Sequence, residues 1–158
     1  MIEIERKFTL KNTTFLSSYL QSYKITQGYL NSSPERTVRV RTKNNKAYIT
    51  IKGKSSHDGM TRFEWEKEIA LDEAMQLLAL CEKYIIEKTR YEILHEGKIF
   101  EIDVFEGLNK GLIIAEVELL DSTEKIILPD WIDCEVTGDE RYYNSYLSNK
   151  PFSKWVKE

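Results

Sequence analysis

The sequence predicts a mainly β fold of the α+β class: an eight-stranded antiparallel barrel, closed or nearly closed, with a few flanking helices. Three observations lead there. Apolar and polar residues alternate with period two in eight separate segments. The connections between those segments are short and rich in turn residues, which makes neighbouring strands antiparallel. The polar faces carry charges grouped by sign, and such faces converge only if the sheet curls into a barrel with a polar interior.

The candidate strands cover residues 2–9, 24–30, 37–42, 46–52, 62–69, 85–94, 98–105 and 112–120. Asn44-Asn45, His95-Glu96-Gly97 and the stretch from Gly107 to Gly111 supply hairpin turns. Pro34, Pro129 and Pro151 all fall outside the strands, as ladder hydrogen bonding requires. Helical segments interrupt this pattern. Thr13 can cap a segment with Phe15, Leu16, Tyr19 and Leu20 on one side. Asp72 is a good N-cap for 73–82, where Met75, Leu78 and Cys81 recur at helical spacing. Asp139, after Gly138, can cap a helix carrying Tyr142, Tyr143, Tyr146 and Leu147. A last short turn is expected around Phe152, Trp155 and Val156.

The 158 residues suit a single domain spanning 1–158, and 41% hydrophobic with 31% charged residues is the make-up of a soluble globular protein. A net charge of −3 argues against a general nucleic-acid binder. Apolar runs such as 112–115 fall far short of the ~20 residues a membrane span needs, and the N-terminus lacks the apolar core of a signal peptide. Cys81 and Cys134 stand far apart, so a reduced, cytoplasmic protein is expected. With only His57 and His95, zinc clusters and Ser-His-Asp chemistry have almost nothing to work with.

The charges carry the functional reading. Glu3, Glu5 and Lys7 share one face of the first strand, against Ile2, Ile4 and Phe8. Arg39 with Arg41, Thr50 with Lys52, Glu64 with Glu66, Lys88 with Arg90, Glu101 with Asp103 and Glu116 with Glu118 repeat the pattern on later strands. On any one strand this is the ordinary solvated face of a half-exposed sheet. Together the pairs are harder to dismiss, because like charges two residues apart repel unless something of opposite sign sits between them. A cation relieves the glutamate pairs and a polyanion the arginine and lysine pairs. Glu3, Glu5, Asp103, Glu116 and Glu118 thus form a set of hard oxygen donors for Mg²⁺ or Mn²⁺. Lys7, Arg39, Arg41, Lys52, Lys88 and Arg90 suit a chain of phosphates. The apolar faces then point outward, and since the helices are too few to cover them all, a homodimer is expected.

Glu3-Ile4-Glu5-Arg6-Lys7 resembles the E-x-E-x-K signature of the CYTH superfamily, the triphosphate tunnel metalloenzymes. The signature is supported in order by Arg39-x-Arg41, Thr50-x-Lys52, Glu64-x-Glu66, Lys88-Thr89-Arg90-Tyr91, Asp103, Glu116-x-Glu118, and Asp139-x-Arg141-Tyr142 with Asn144. The match runs from residue 3 to about residue 147, and the compact pattern is most similar to short bacterial inorganic triphosphatases. The resemblance implies an eight-stranded tunnel, dependence on Mg²⁺ or Mn²⁺, and cleavage of a small-molecule triphosphate. It places Glu3, Glu5, Asp103, Glu116 and Glu118 in the metal-binding region and Lys7, Arg39, Arg41, Lys52 and Arg90 on phosphate. Glu64 and Glu66 match tunnel acids on the substrate-binding side, and Arg141 is the C-terminal residue within reach of phosphate. Lys88 matches a lysine proposed to activate the attacking water, with plain electrostatic stabilisation of the transferring group as the alternative.

Departures narrow the substrate. The aromatic-histidine element of class IV adenylyl cyclases, which precedes E-x-E-x-K, has no counterpart here, so hydrolysis ranks above cyclisation. Trp65 lies on the face opposite Glu64 and Glu66 and should point away from the lumen, which leaves a thiamine triphosphatase without its aromatic stack. A class IV-type adenylyl cyclase, a thiamine or nucleoside triphosphatase and a non-catalytic polyphosphate-binding module stay open as alternatives. His57, between Gly53 and Gly59, reads as a solvated loop residue, and the C-terminal tyrosines read as core.

Overall fold

The structure, a computed structural model, describes residues 1–155, so Val156 of the expected last turn lies outside the described residues. The strands are β1 (Ile2–Leu10), β2 (Gln21–Asn31), β3 (Arg36–Lys43), β4 (Lys46–Gly53), β5 (Thr61–Ile69), β6 (Ile86–His95), β7 (Lys98–Phe105), β8 (Ile113–Glu118) and β9 (Ile132–Glu135). They form one antiparallel sheet in the order β5-β4-β3-β2-β6-β7-β8-β1. Pairing of Ile2, Glu3 and Ile4 with Phe63, Arg62 and Thr61 joins β1 to β5 and closes the barrel. All eight expected strands are present.

Strand β9 was not anticipated. It pairs with the second half of β1 (Phe8↔Glu135, Leu10↔Ile132) and so extends the closing edge beyond the reach of β5. Four residues between Pro129 and an irregular loop give too short a run for alternation to register.

Turn chemistry behaves as the sequence indicates. His95 and Lys98 face each other across β6–β7, and both loop residues, Glu96 (φ 47°) and Gly97 (φ 76°), take the left-handed backbone that a two-residue hairpin needs. The helices are shorter than expected. Residues Thr14–Ser18 make only a 3₁₀ turn; Asn12 Oδ1, not Thr13, accepts from the Thr14 amide (3.3 Å) and hydroxyl (2.9 Å). Helix α1 spans Leu71–Leu78 with Ala70 as N-cap; Asp72 is its second residue, and Glu73 accepts from the Ala70 amide at 3.1 Å. Asp139 does cap the turn Glu140–Tyr142, accepting from Arg141 N at 3.1 Å. Helix α2 is the single turn Asn144–Leu147.

Apolar side chains pack in three places, one of them unexpected. Outside the barrel, Phe8, Phe100, Ile102 and Val117 are covered by Ile132 of β9, Phe15 and Trp131. Helix α1 sets Ala74 and Leu78 on Val40 and Ala47. Inside, where the sequence reading put only charge, Tyr29, Ile86, Phe105 and Ile114 form an apolar block that Leu147 of α2 completes, fully buried. Three of these strand residues share strand parity with a charged inward neighbour: Ile86 with Lys88, Phe105 with Asp103, Ile114 with Glu116. Much of the remaining outer face is bare: Ile2, Phe63 and Trp65 of β1 and β5 are exposed. No helix among the described residues is long and apolar enough to cross a membrane.

Gly28 on β2 lets the segment after α1 lie close against the sheet. A Cβ there would sit 2.7 Å from Ile85 Cδ1 and 2.8 Å from Cys81 Cβ. Gly28→Ala is therefore expected to overpack this contact and cost about 1–3 kcal/mol, read as a lower urea midpoint in equilibrium unfolding.

Candidate active site

The inward faces of all eight barrel strands line one internal cavity of ≈ 200 Å³, β2 through Tyr29. Strand β1 contributes Glu3, Glu5 and Lys7; β3 Arg39, Arg41 and Lys43; β4 Thr50 and Lys52; β5 Glu64 and Glu66; β6 Lys88 and Arg90; β7 Glu101; β8 Glu116 and Glu118. Period two explains why each strand supplies its charges two residues apart. Closure of the barrel sets them opposite one another.

The cations on β3 are under-paired. Arg39 and Arg41 both reach a single acid, Glu66 Oε2, each at 3.5 Å. Thr50 bridges them, its hydroxyl donating to Glu66 (2.6 Å) and accepting from Arg39 Nη2 (3.1 Å). The Nε of both arginines is buried without a hydrogen-bond partner among the described residues. Burial and the charges of Arg39 and Arg90 push Arg41 down to about 10. That direction is the mark of cations crowded together, and an anion between them would reverse it. Lys52 is better served: it donates to Glu3 Oε1 at 2.8 Å and lies 3.3 Å from Glu64 Oε2.

The acids are crowded in the same way. Glu5 stands opposite Glu118 and near Glu116, which is paired with Lys7 at 3.7 Å. Burial and then the charges of Glu116 and Glu3 hold the Glu5 carboxyl well above the usual range. Burial raises Glu116 too, but Lys7, Arg90 and Lys88 outweigh it and hold that carboxyl far below. Glu64 is pushed up to about 6 by burial and by sharing a hydrogen bond with Glu3. Among the described residues no three acidic, histidine or cysteine side chains converge on one metal-sized point. A Mg²⁺-type ion needs no such cage, since it keeps waters and takes one or two carboxylates plus substrate phosphate oxygens. Hard oxygen donors set close together, with Glu5 held protonated by burial and its acidic neighbours, fit that ion.

Lys88 lies at the border between the charged cavity and the apolar block, its Nζ 5.4 Å from the Phe105 ring. It donates to Asp103 Oδ2 at 2.8 Å and to Asn144 Oδ1 at 3.1 Å. Arg90 donates to the same carboxylate through Nε (2.7 Å) and Nη2 (2.8 Å), and reaches Glu101 at 3.2 Å. Burial pushes Lys88 down to about 8; Asp103 pulls it back up while Arg90 adds to the fall. Burial likewise opposes charge on Asp103, yet Arg90 and Lys88 prevail and keep it ionised.

Of the residues singled out from sequence, Glu3, Glu5, Lys7, Arg39, Arg41, Lys52, Glu64, Glu66, Lys88, Arg90, Glu116 and Glu118 all meet on this cavity. Two do not. Asp103 is enclosed behind Lys88 and Arg90, with both oxygens engaged. Arg141 turns outward, bound to Asp139 at 2.7 Å with its side chain 58% exposed, because the cap that orders its turn also holds its guanidinium. Trp65 points away from the lumen as parity requires. Lys43, Glu101, Tyr143 and Asn144 line the cavity without having been picked as site residues. The first two continue alternations visible in the sequence. Tyr143 and Asn144 come from the C-terminal segment, where no periodicity signals that a turn folds back over the lumen.

The family described as CYTH domain matches residues 1–144. An inorganic triphosphatase from Acetivibrio thermocellus is 44% identical over 154 residues, covering 97% of both chains. One from Nitrosomonas europaea is 37% identical over 152 residues, covering 94% of this chain and 97% of the relative. A solved structure described as an inorganic triphosphatase superposes with a TM-score of 0.67 at 31% identity, covering 99% of this chain and 97% of that one.

The opposed shifts of Glu5 and Glu116 make a prediction for metal-free protein. A carboxyl raised on folding costs stability once pH exceeds its unfolded value, and a lowered one adds stability there. At pH 7 in EDTA, Glu5→Gln should unfold at the same or a higher urea concentration than wild type. Glu116→Gln, which strands Lys7, Arg90 and Lys88, should unfold at a clearly lower one.

Proposed function

The chain belongs to the CYTH family, and we propose that it is a divalent-metal-dependent triphosphatase that cleaves the terminal phosphoanhydride of a triphosphate, inorganic tripolyphosphate before any nucleotide. The observation that carries this reading is the pair of buried arginine Nε groups on β3, without a hydrogen-bond partner among the described residues, beside a cavity lined mostly by charged and polar side chains. A ligand that is all phosphate satisfies those donors and needs no apolar pocket. The relatives that match over nearly the whole chain bear the name inorganic triphosphatase.

In this reading Arg39, Arg41, Lys52 and Lys7 bind the phosphate chain, and Glu66 and Glu64 hold those cations apart until substrate replaces the loose contacts at 3.5 Å and 3.3 Å. Glu3, Glu5, Glu116 and Glu118 would hold Mg²⁺ or Mn²⁺, which would supply neutralisation of the substrate's charge. Arg90 stabilises the transferring group, where phosphoryl transfer gains most. The resemblance groups Asp103 with the metal ligands; here it acts instead as the brace that fixes Lys88 and Arg90. Lys88 is the catalytic residue. As a neutral amine it has two hydrogens, which go to Asp103 and Asn144, and its lone pair takes a proton from water as the water oxygen bonds to the terminal phosphorus. The bridging oxygen leaves with pyrophosphate, and the proton passes on to phosphate. A cytoplasmic location, argued from two free cysteines, and a homodimer through the bare face of Ile2, Phe63 and Trp65 complete the proposal.

The test is phosphate release from tripolyphosphate, ATP, thiamine triphosphate and pyrophosphate, each with Mg²⁺, Mn²⁺ or EDTA. Release is expected to be fastest from tripolyphosphate and abolished by EDTA; equal rates with EDTA, or release from none of the four, would overturn the reading. Arg41→Ala removes charge-assisted hydrogen bonds of about 1.5–3 kcal/mol, so kcat/KM should fall roughly ten- to a hundred-fold.

A further inference from the structure

Gln27 lies on the inward face of β2, between Ile25 and Tyr29. It is fully buried, yet only half of it is used. Its Nε2 donates to Asn144 Oδ1 at 2.9 Å, while its Oε1 is buried without a hydrogen-bond partner among the described residues. An orphaned buried carbonyl costs about 1–3 kcal/mol, and an apolar side chain in a strand already flanked by the interior apolar block would avoid that cost. Packing therefore gives no reason for glutamine at this position. Its single hydrogen bond does.

Asn144 Oδ1 is where two donors meet: Gln27 Nε2 at 2.9 Å and Lys88 Nζ at 3.1 Å. A carbonyl oxygen has two lone pairs, so both are taken and the amide orientation is fixed, with oxygen toward Lys88 and Nδ2 away from it. Of the two donors, only the Gln27 amide keeps its hydrogens whatever the charge on Lys88. When Lys88 carries its full charge it fixes the orientation by itself, because it has no acceptor. When Lys88 is neutral, an Asn144 free to flip by half a turn would present its NH₂ to the amine lone pair and occupy it.

We propose that Gln27 is a positioning residue for the reaction: by donating to Asn144 Oδ1 it keeps Asn144 an acceptor, so that the lone pair of neutral Lys88 stays directed at the cavity and available to the attacking water. This rests on the triphosphatase reading given above. Gln27 itself lies outside the cavity lining and touches no substrate. Its effect passes through the polarity of one hydrogen bond.

Two variants isolate that polarity. Gln27→Met keeps the length and removes the donor; Gln27→Glu keeps the shape and puts an acceptor where the donor was. Both are expected to bind tripolyphosphate with KM within about two-fold of wild type, while kcat falls roughly ten-fold in the first and further in the second, a share of the ~10²–10⁴-fold that a positioned base supplies. The same Gln27→Met change is then made beside Asn144→Asp, whose carboxylate is an acceptor on both oxygens and needs no lock. There the ratio of kcat with and without Gln27→Met should be close to one. An unchanged kcat in Gln27→Met, or the same fold loss in both backgrounds, overturns the proposal, since a packing role would lower both alike. A readout free of turnover keeps the two readings distinct: in NMR of the metal-free protein above the Lys88 titration, cross-relaxation between the Asn144 amide protons and the Lys88 ε-methylene should be weak in wild type and strong in Gln27→Met. If that contrast appears while wild type releases no phosphate from tripolyphosphate, the lock exists and the triphosphatase reading fails. If the contrast is missing, the lock fails whatever the activity.

Discussion

A single enclosed carboxylate sets the terms on which this barrel can hold charge inside. Asp103 is fully buried on β7 and receives Lys88 and Arg90 from β6 at 2.7–2.8 Å. Each of those cations would be costly in an apolar interior without a partner, and removing the partner of a buried pair is worth about 3–5 kcal/mol. Arg90 also reaches Glu101 at 3.2 Å, so the cluster is close to balanced in charge. The strand register that places Arg90 opposite Asp103 fixes where both basic groups stand at the edge of the cavity.

The interior apolar block gives that arrangement its depth. Phe105, Ile114, Ile86 and Leu147 pack behind Lys88 and strip it of water, so the same lysine that would keep a proton at neutral pH in solution is pushed down to about 8. Nearer the cavity, burial and the charges of Arg39 and Arg90 push Arg41 down to about 10. One barrel thus presents two kinds of basic group: arginines crowded at the cavity wall and one lysine amine backed by apolar residues. The difference comes from where the apolar residues lie, since the side chains on the strands alternate identically.

How much of this was legible in the sequence follows from what parity can and cannot carry. Period two identifies which face a residue is on, so twelve of the fourteen chosen site residues reach the cavity. It says nothing about depth. Lys88 and Asp103 satisfy the same inward rule as Glu66 and Arg39, yet Lys88 and Asp103 are within 1% of complete burial and Asp103 is cut off from the lumen by its own partners. Nor does it see residues outside the strands. Arg141 sits in a turn whose Asp139 cap draws the guanidinium outward, while Asn144 three residues on begins α2 and points in. Strand β9 and the shortened helices escaped for a related reason: segments of four to eight residues owe their structure to the surfaces they cover more than to their own pattern.

The inward apolar residues explain why the charged pairs alone could not complete the picture. An alternation reading assigns polar residues to one face and apolar residues to the other, and here β2, β6, β7 and β8 put both kinds on the same face in succession. Ile86 precedes Lys88, Phe105 follows Asp103, Ile114 precedes Glu116, and Gln27 lies between Ile25 and Tyr29. In each strand the inward row changes from apolar to polar or charged within two residues, about 7 Å at the rise of a β-strand. That abrupt boundary lets a lysine be dry on one side and face a charged cavity on the other. It also accounts for a buried amide at the boundary: it is the place where a hydrogen bond's direction, more than its strength, decides what the lysine can do.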